Sequence, residues 1–426
     1  MESTSRGTST HDPSVTSMIG GGTPPATGTS TPTTTTTTTA ATTGTDENEP
    51  SGGYSPATFA PLLKKLVLSP DRFTLDDCEL AFEHLARGPT ATHESQVGAF
   101  LSALRVTHKD GRADIVACCA RVMRQHALEI QLDEDEERSL SLGPICDIVG
   151  TGGDGHNTFN VSTTAAIVAA GAGARVFKHG NKAATSSSGS ADILLSLGCP
   201  VTTLPPRSIS SALSKQCSFL FLFAPLYHPA MVHLAPVRKQ LAFPTIFNAL
   251  GPLINPVKPK RLIVGVHSEY LGPVFAEALR LGGVEKAWVV CGKEGLDEIS
   301  IAGETHVWQV GPIDEEIEYF VVSPRDFGLS THPLSSVAGG TPFENSELLL
   351  KLLRGEVVDV RDPVENFVVL NAAALLFVAG VAPTRTRAVE MARDSLRNGG
   401  ALRALEGFRD LGQEQVRRAA NENEDA

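Results

Sequence analysis

The distribution of apolar and polar residues divides the chain into a tail, a helical region and a longer region of mixed strands and helices. Residues 1–52 are mostly Thr, Ser, Gly and Pro, with an unbroken Thr run at 33–39. Such a segment cannot bury enough apolar surface to offset the entropy lost on ordering. We therefore predict a disordered tail over residues 1–54.

Apolar residues next recur at the spacing of helices. The amphipathic runs lie at residues 59–66, 75–82, 95–105 and 113–123. They predict a small helical domain over residues 55–128. The strongly acidic stretch that follows, Asp-Glu-Asp-Glu-Glu at 133–137, is typical of a solvated connection, and we assign residues 129–143 to an acidic connecting loop.

From residue 145 onwards, short apolar strands alternate with helical patterns. The strands are expected at residues 145–149, 175–178, 219–223, 262–266 and 287–290, and helical patterns at 163–172, 191–197 and 273–281. This alternation predicts an α/β fold with a mostly parallel central sheet, flanked by helices, in a large domain over residues 144–426. Ligands of such sheets bind at the carboxyl ends of the strands.

The composition narrows the class of protein. Lys and Arg number 36 against 48 Asp and Glu, a formal net charge of −12, so any bound polyanion needs a local site rather than a global field. Seven cysteines are scattered without a CxxC pair or zinc-ligand spacing, which favours reduced thiols. No apolar run approaches the roughly 20 residues of a membrane-spanning helix. We expect a cytoplasmic protein that binds neither nucleic acid nor a membrane.

The first candidate site is a glycine-rich turn directly after the strand at 145–149, which runs on into a helix. Its residues are Gly150, Thr151, Gly152, Gly153, Asp154, Thr158, Asn160, Ser162 and Thr163. Glycines let backbone N–H groups approach an anion, and the helix start adds donors and a favourable dipole. The spacing is neither a Walker A loop nor a dinucleotide fingerprint. We interpret the turn as a diphosphate site; a tight connection without a ligand is the alternative.

The second candidate site follows the next strand. Lys178, His179, Gly180 and Asn181 lead into a Ser-rich loop that reaches Ser190. A strand that delivers Lys178 into a loop of small neutral donors suits a phosphorylated sugar. The alternative is a flexible loop whose Lys and His face solvent.

Two further groups carry possible chemistry. Asp297 and Glu298 are adjacent carboxylates that raise each other's pKa, so a cation such as Mg²⁺ would neutralise them, although acidic pairs are common on surfaces. His228 precedes Arg238 by ten residues, and a Gly-Pro and Asn-Pro punctuated segment follows at 247–256. Arg238 could pair with a planar carboxylate, whereas the punctuated segment is typical of a shaped loop.

Taken together, these segments resemble the anthranilate phosphoribosyltransferases, relatives of the nucleoside phosphorylases. The matching motifs are at 150–154, 160–163, 178–181, 187–192, 228–231, 247–256 and 297–298. They follow the family order, and looser similarity covers 96–105 and the rest of the chain beyond residue 55. The tail and the acidic stretch lie outside the resemblance. Lys182, where relatives often carry Arg, and Ser188, in a variable slot, depart locally from the pattern without changing the reaction class.

The resemblance implies a glycosyltransferase of tryptophan biosynthesis. Such an enzyme moves the phosphoribosyl group of 5-phosphoribosyl 1-pyrophosphate (PRPP) to the amine of anthranilate, and it works as a homodimer. It implies that helices near 228–243 join the small domain and that the active site lies at the hinge between the domains. The implied PRPP residues are Gly150, Thr151, Gly152, Gly153, Asp154, Thr158, Asn160, Ser162, Thr163, Lys178 and Ser190. The implied Mg²⁺ ligands are Ser162, Asp297 and Glu298, and the implied anthranilate contacts are Asn181, His228, Arg238 and Gly251.

The chemistry implied by this resemblance needs charge neutralisation more than acid–base catalysis. The leaving pyrophosphate gathers negative charge as its bond to the ribose stretches, and Mg²⁺, Lys178 and backbone donors can balance it. We therefore assign Lys178, Asp297 and Glu298 as catalytic residues and nominate no general base. A carboxylate reached through solvent, or His179, could take the amine proton after the bond forms.

Two other functions compete with this interpretation. A pyrimidine nucleoside phosphorylase shares the general architecture but would bind free phosphate and a nucleoside; the 178–181 motif, Arg238 and the acidic pair favour the anthranilate enzyme. A non-catalytic relative that binds nucleic acid is disfavoured by the net charge of −12 and would leave the phosphate and metal residues unexplained.

Overall fold

A computed structural model describes residues 53–128, 130, 143–183, 187–204, 206, 217–357 and 359–424. The predicted tail up to residue 52 and most of the predicted acidic connecting loop lie outside these ranges. Within them, no helix is both long enough and apolar enough to span a bilayer.

The described chain begins with four helices, as the sequence predicts. They are α1 (Pro56–Leu68), α2 (Leu75–Arg87), α3 (Glu94–Val106) and α4 (Ala113–Gln125). The side chains of Ser55 and Thr74 accept hydrogen bonds from backbone N–H groups of the first turns of α1 and α2, which fixes where these helices start. Phe59, Phe82 and Phe100 are fully buried between them.

The remainder forms an α/β domain around one seven-stranded sheet, counted over the described residues. The strands are β1 (Ile145–Gly150), β2 (Arg175–Gly180), β3 (Phe219–Phe223), β4 (Arg261–Gly265), β5 (Lys286–Gly292), β6 (Thr305–Val310) and β7 (Glu318–Val322). Their order is β3-β2-β1-β4-β5-β6-β7. The first five are parallel, and β6 and β7 add an antiparallel edge. The predicted mostly parallel sheet is confirmed.

Helices cover both faces of the sheet. They are α5 (Val161–Gly171), α6 (Ser190–Ser196), α7 (Ala224–Tyr227), α8 (Pro229–Leu241), α9 (Ile246–Leu250), α10 (Leu271–Leu281), α11 (Pro342–Leu353), α12 (Pro363–Val378), α13 (Arg385–Arg397) and α14 (Gly400–Glu424). Single 3-10 turns lie at Pro70–Arg72, Gly88–Thr90, Lys109–Gly111, Gly251–Leu253, Pro324–Phe327 and Leu334–Val337. α12 is apolar nearly all round and packs against α5, as expected of a helix inside a core.

Successive residues of the strands face two different cores because side chains alternate across a sheet. Leu262 and Val264 of β4 belong to the core that includes the N-terminal helices. Ile263 of β4 and Trp288 of β5 belong to the other core, which includes α5 and α12. The N-terminal helices are thus continuous with one face of the sheet.

The chain returns to the N-terminal helices after β3. α8 contacts α2 and α3, and α9 contacts α3 and α4. The rings of Phe82 on α2 and Phe247 on α9 lie 5.7 Å apart. The segment that carries Arg238 and Gly251 therefore lies between the helical region and the carboxyl ends of the strands.

Candidate active site

The glycine-rich turn after β1 adopts a backbone that requires glycine. Gly152 and Gly153 have φ angles of 69° and 83°, in the left-handed region that side chains with a Cβ disfavour. Gly150 has a normal φ but lies against Asp297, and a Cβ at this position would collide with the carboxylate. The backbone N–H of Gly152 donates to Oδ2 of Asp297 at 2.6 Å. The turn and the acidic pair, 145 residues apart in the chain, are therefore in direct contact.

A cavity of about 450 Å³ opens between this turn and the start of α5. It is lined by residues 152–162, 187, 188, 297 and 298. Asn160 is held at the helix start because its Nδ2 donates to the carbonyl of Ser188 at 2.8 Å and its Oδ1 accepts from Asn345 at 2.9 Å. The N-terminus of an 11-residue helix facing a cavity favours a bound anion.

One buried hydroxyl beside this cavity finds no partner in the part of the chain that the structure describes. Thr163 is buried, and its Oγ1 has no hydrogen-bond partner among the described residues. Thr158 and Ser162 line the cavity directly. Ser190 begins α6 and packs against Gly180 at the end of β2. A buried hydroxyl without a partner costs free energy, which indicates a ligand in this region.

Lys178 is buried at the end of β2, with 1% of its surface exposed. Its Nζ donates to the carbonyl oxygen of Ile148 on β1. Burial lowers the pKa of Lys178, and the negative charges of Asp147, Glu298 and Asp297 oppose that shift. The solvent-facing alternative for this lysine is therefore wrong.

Asp297 and Glu298 occupy an environment that disfavours their charged forms. Burial, and then the charge of Asp154, raises the pKa of Asp297 to about 7. Burial, and then the charge of Asp297, raises the pKa of Glu298 to about 8. The surface alternative for this pair is therefore wrong as well.

A divalent cation fits this donor set. Two carboxylates with raised pKa values gain from a bound cation, and the Ser162 hydroxyl interacts with Glu298. The described residues contain no cluster of three or more His, Cys, Asp or Glu that would form an all-protein metal cage. Mg²⁺ suits such a site because it commonly binds through one or two carboxylates and takes its remaining ligands from water and phosphates.

A second group of buried polar side chains lies where β2 meets the segment after α9. Nδ1 of His179 lies 3.2 Å from the carbonyl oxygen of Gly251, and the rings of His179 and His228 lie 5.1 Å apart, edge to face. Burial lowers the pKa of His179 to about 3 and that of His228 to about 4. Both imidazoles are therefore neutral at neutral pH.

The other two residues predicted to contact anthranilate are near this group but do not bond to it. Arg238 on α8 is partly buried, its guanidinium lies 5.2 Å from the centre of the Phe247 ring, and its Nε has no partner among the described residues. Burial lowers the pKa of Arg238. Asn181 uses its side-chain oxygen to accept from the N–H of Lys182. The structure thus brings His228 and Gly251 together through His179, while direct substrate contacts stay a prediction.

Sequence reasoning missed two residues that shape the site. Asn345 on α11 holds Asn160 at 2.9 Å across 185 residues of chain, and no local pattern predicts this pairing. Asp147 in β1 is fully buried. A carboxylate in the middle of the apolar strand 145–149 is a signal that could have identified it, because buried charges are retained only with partners.

Comparisons with known proteins agree with this fold. Residues 142–402 match the family model described as glycosyl transferase family, a/b domain. Anthranilate phosphoribosyltransferase of Schizosaccharomyces pombe is 44% identical over 361 residues, covering 84% of this chain and 99% of that protein. The corresponding enzyme of Saccharomyces cerevisiae is 38% identical and covers 84% and 98%.

Solved structures lead to the same family. The Saccharomyces cerevisiae enzyme in complex with PRPP and Mg has a TM-score of 0.76 at 36% identity, covering 85% of this chain and 99% of that one. The same enzyme with 4-fluoroanthranilate has a TM-score of 0.74 at 34% identity, with the same coverage. The fold and site define a member of the glycosyl transferase family. Within it, the chain belongs to the anthranilate phosphoribosyltransferases.

Proposed function

We propose that this protein transfers the phosphoribosyl group of PRPP to the amine of anthranilate, giving N-(5-phosphoribosyl)anthranilate and pyrophosphate. This is the second step of tryptophan biosynthesis from chorismate. The observation that carries the proposal is the contact of Gly152 N–H with Asp297 at 2.6 Å. This contact joins the glycine turn, which we assign to phosphate, and the acidic pair, which we assign to a cation, beside one cavity at the start of α5.

PRPP occupies this cavity in our proposal. The turn formed by Gly150, Thr151, Gly152 and Gly153 holds the pyrophosphate together with the helix start. The side chains that complete the site are those of Asp154, Thr158, Asn160, Ser162, Thr163, Lys178 and Ser190. The unpartnered Thr163 hydroxyl and the buried Lys178 ammonium support this assignment because both gain a partner when an anionic ligand binds.

Asp297 and Glu298, with Ser162, hold Mg²⁺. When bound, Mg²⁺ supplies positive charge that stabilises the departing pyrophosphate. The two carboxylates keep this charge at one position beside the glycine turn, and Lys178 adds a second positive charge from the end of β2. Groups that are already in place need no reorganisation as charge develops, and the loss of one such contact typically costs roughly 3 kcal/mol, about a hundredfold in rate.

Anthranilate approaches from the side of the N-terminal helices. Arg238 pairs with its carboxylate, and Asn181, His228 and Gly251 contact the ring and the amine. The low pKa of His179, about 3, makes this residue a poor proton acceptor at neutral pH. We therefore still assign no general base.

The same proposal includes the domain division, assembly and location of the protein. The small helical domain covers residues 55–128 together with α8, and the connecting loop covers residues 129–143. The large domain covers residues 144–426, and the tail covers residues 1–54.

We infer a homodimer joined through the helical region. This is supported by the apolar side chains of Leu68 and Val106, which are 68% and 77% exposed. We also infer a cytoplasmic location, because the seven cysteines are scattered along the sequence without a CxxC pair.

One assay tests the reaction. The purified full-length chain is mixed with PRPP, anthranilate and Mg²⁺, and the decay of anthranilate fluorescence is followed. We expect decay that needs all three components. No decay, together with phosphate-dependent cleavage of thymidine, would instead assign the chain to the nucleoside phosphorylases.

A further inference from the structure

A buried carboxylate on β1 takes no part in the mechanism described so far. Asp147 is 0% exposed and lies between the buried residues Cys146 and Ile148. Its Oδ1 accepts from the N–H of Ile148 at 2.7 Å. Its Oδ2 accepts from the N–H of His179 at 3.2 Å and from Nδ2 of Asn255 at 2.8 Å. A carboxylate this deep in the core is strongly disfavoured unless its hydrogen bonds and charge are matched.

The three hydrogen-bond donors belong to three segments that carry the proposed substrate contacts. Ile148 precedes the glycine turn, and His179 follows Lys178 on β2. Asn255 follows the short turn that begins at Gly251 and also donates to the carbonyl of Phe177 at 2.9 Å. One carboxylate therefore fixes the relative positions of the segments that hold the pyrophosphate, the ammonium group and the aromatic acid.

Asp147 also contributes to the electrostatic environment of Lys178. Among the charges that raise the pKa of this buried ammonium against the effect of burial, Asp147 acts more strongly than Glu298 or Asp297. In return, Lys178 is the strongest of the influences that oppose the effect of burial on the pKa of Asp147. Nζ of Lys178 donates to the carbonyl of Ile148, the residue next to Asp147. The ammonium is thus bonded to Ile148, a residue whose backbone N–H donates to Asp147.

We propose that Asp147 is a positioning residue, whose hydrogen bonds to the N–H groups of Ile148 and His179 keep Lys178 at the end of β2, so that its ammonium serves PRPP instead of pairing with Asp297 and Glu298. The inference rests on the proposed function, since it assumes that Lys178 binds PRPP. It gives β1 a role beyond carrying the glycine turn.

The direction in which PRPP affinity changes when Asp147 is neutralised separates a positioning role from simple charge repulsion. If Asp147 were only a negative charge near a polyanion site, its neutralisation would tighten PRPP binding by removing a repulsion. If Asp147 positions Lys178, its neutralisation releases the ammonium towards the remaining carboxylates. PRPP binding then weakens although the site has become less negative.

The test compares Asp147→Asn with the wild-type full-length chain. The steady-state constants for both substrates are measured by anthranilate fluorescence, and PRPP binding with Mg²⁺ is measured by calorimetry. We expect KM and Kd for PRPP to rise at least about tenfold with a lower kcat, while KM for anthranilate changes less than about threefold. Unchanged or tighter PRPP binding would overturn the proposal.

Two variants control for structural damage. Ser395→Ala removes another buried hydrogen bond, from Oγ to the carbonyl of Val168 at 2.8 Å, far from the site; it should lower the melting temperature without moving either KM. Asn255→Ala removes the amide tether but keeps the carboxylate, so its PRPP defect should be the smaller one. An equal defect in Asn255→Ala would make the bond from Asn255, and not the bonds from Ile148 and His179, responsible for the effect and would contradict the proposal.

A double variant keeps the proposal testable if Asp147→Asn does not fold. D147N/N255D returns one carboxylate to the same buried pair, and we expect it to fold and to recover part of the PRPP affinity. A folded double variant without recovery would count against the role of the charge. Calorimetry with PRPP needs no turnover, so it judges Asp147 even if the wild-type chain does not use anthranilate.

Discussion

Substitution of Asp297 by Asn should stabilise the metal-free protein while it removes activity. Burial raises the pKa of Asp297 to about 7 from the ordinary value of 3.8. A carboxyl group with a raised pKa in the folded state disfavours folding as it ionises, so its cost appears as pH rises above 3.8 and is complete above about 7. At 1.36 kcal/mol per pH unit, the full cost is about 4 kcal/mol.

The most discriminating measurement is how the stability gained by Asp297→Asn changes with pH. Two pH units separate pH 5 from the pKa of about 7, so the stability advantage of Asp297→Asn should grow by about 3 kcal/mol between pH 5 and pH 8. Asn keeps an oxygen that can accept from Gly152, so the turn retains its contact. Glu298, relieved of a charged neighbour, adds to the gain in the same direction.

Urea unfolding in EDTA at pH 5 and pH 8 gives the two free energies of unfolding. Asp314→Asn, at an exposed carboxylate, is the matched control and should leave the stability of the protein unchanged at both pH values. Added Mg²⁺ should stabilise the wild type and not Asp297→Asn, whose turnover should fall at least about a hundredfold. An advantage of equal size at pH 5 and pH 8 would refute the reasoning that burial raises this pKa.

Three further substitutions test other parts of the molecule. Arg238→Ala should chiefly raise KM for anthranilate; a change confined to KM for PRPP would move Arg238 to the other substrate. Gly150→Ala should weaken Mg²⁺ binding in calorimetry because its Cβ displaces the Asp297 carboxylate, and wild-type affinity would contradict the close approach. Phe100→Ala, in a fully buried position between the rings of Phe59 and Phe82, should lower the free energy of unfolding by about 3–5 kcal/mol; urea unfolding with a loss below about 1 kcal/mol would argue against that packing.

The sequence was sufficient for those features that follow from local patterns. Apolar periodicity located α1 to α4 and the five parallel strands, because each of these elements buries one face or both faces completely. Strands β6 and β7 were missed. In β7 most side chains are exposed or half-buried, so the strand lacks the continuous apolar run that marks the parallel strands. An antiparallel strand at the edge of a sheet can leave one face in water.

The grouping of the candidate site residues could be predicted because the carboxyl ends of parallel strands lie at the same edge of the sheet. That rule alone predicts that the turn after β1, Lys178 after β2 and the acidic pair beyond β5 lie close together. Bonds from α11 to Asn160 or from Asn255 to Asp147 depend on how distant loops pack, so the local pattern around either partner does not predict the pairing. The sequence therefore supplied the proposed ligand contacts and not the residues that hold them in place.

The balance of buried charge explains why these supporting residues matter. When ionised, Asp147, Asp297 and Glu298 exceed the single positive charge of Lys178 by two, so the empty site repels a polyphosphate despite its amide donors. A divalent cation removes this excess, and it competes with Lys178 for the two carboxylates of the acidic pair. By retaining Lys178 at β2, Asp147 leaves Asp297 and Glu298 to the metal. Metal and polyanion binding must then be coupled, and by linkage each should raise the affinity for the other to the same degree.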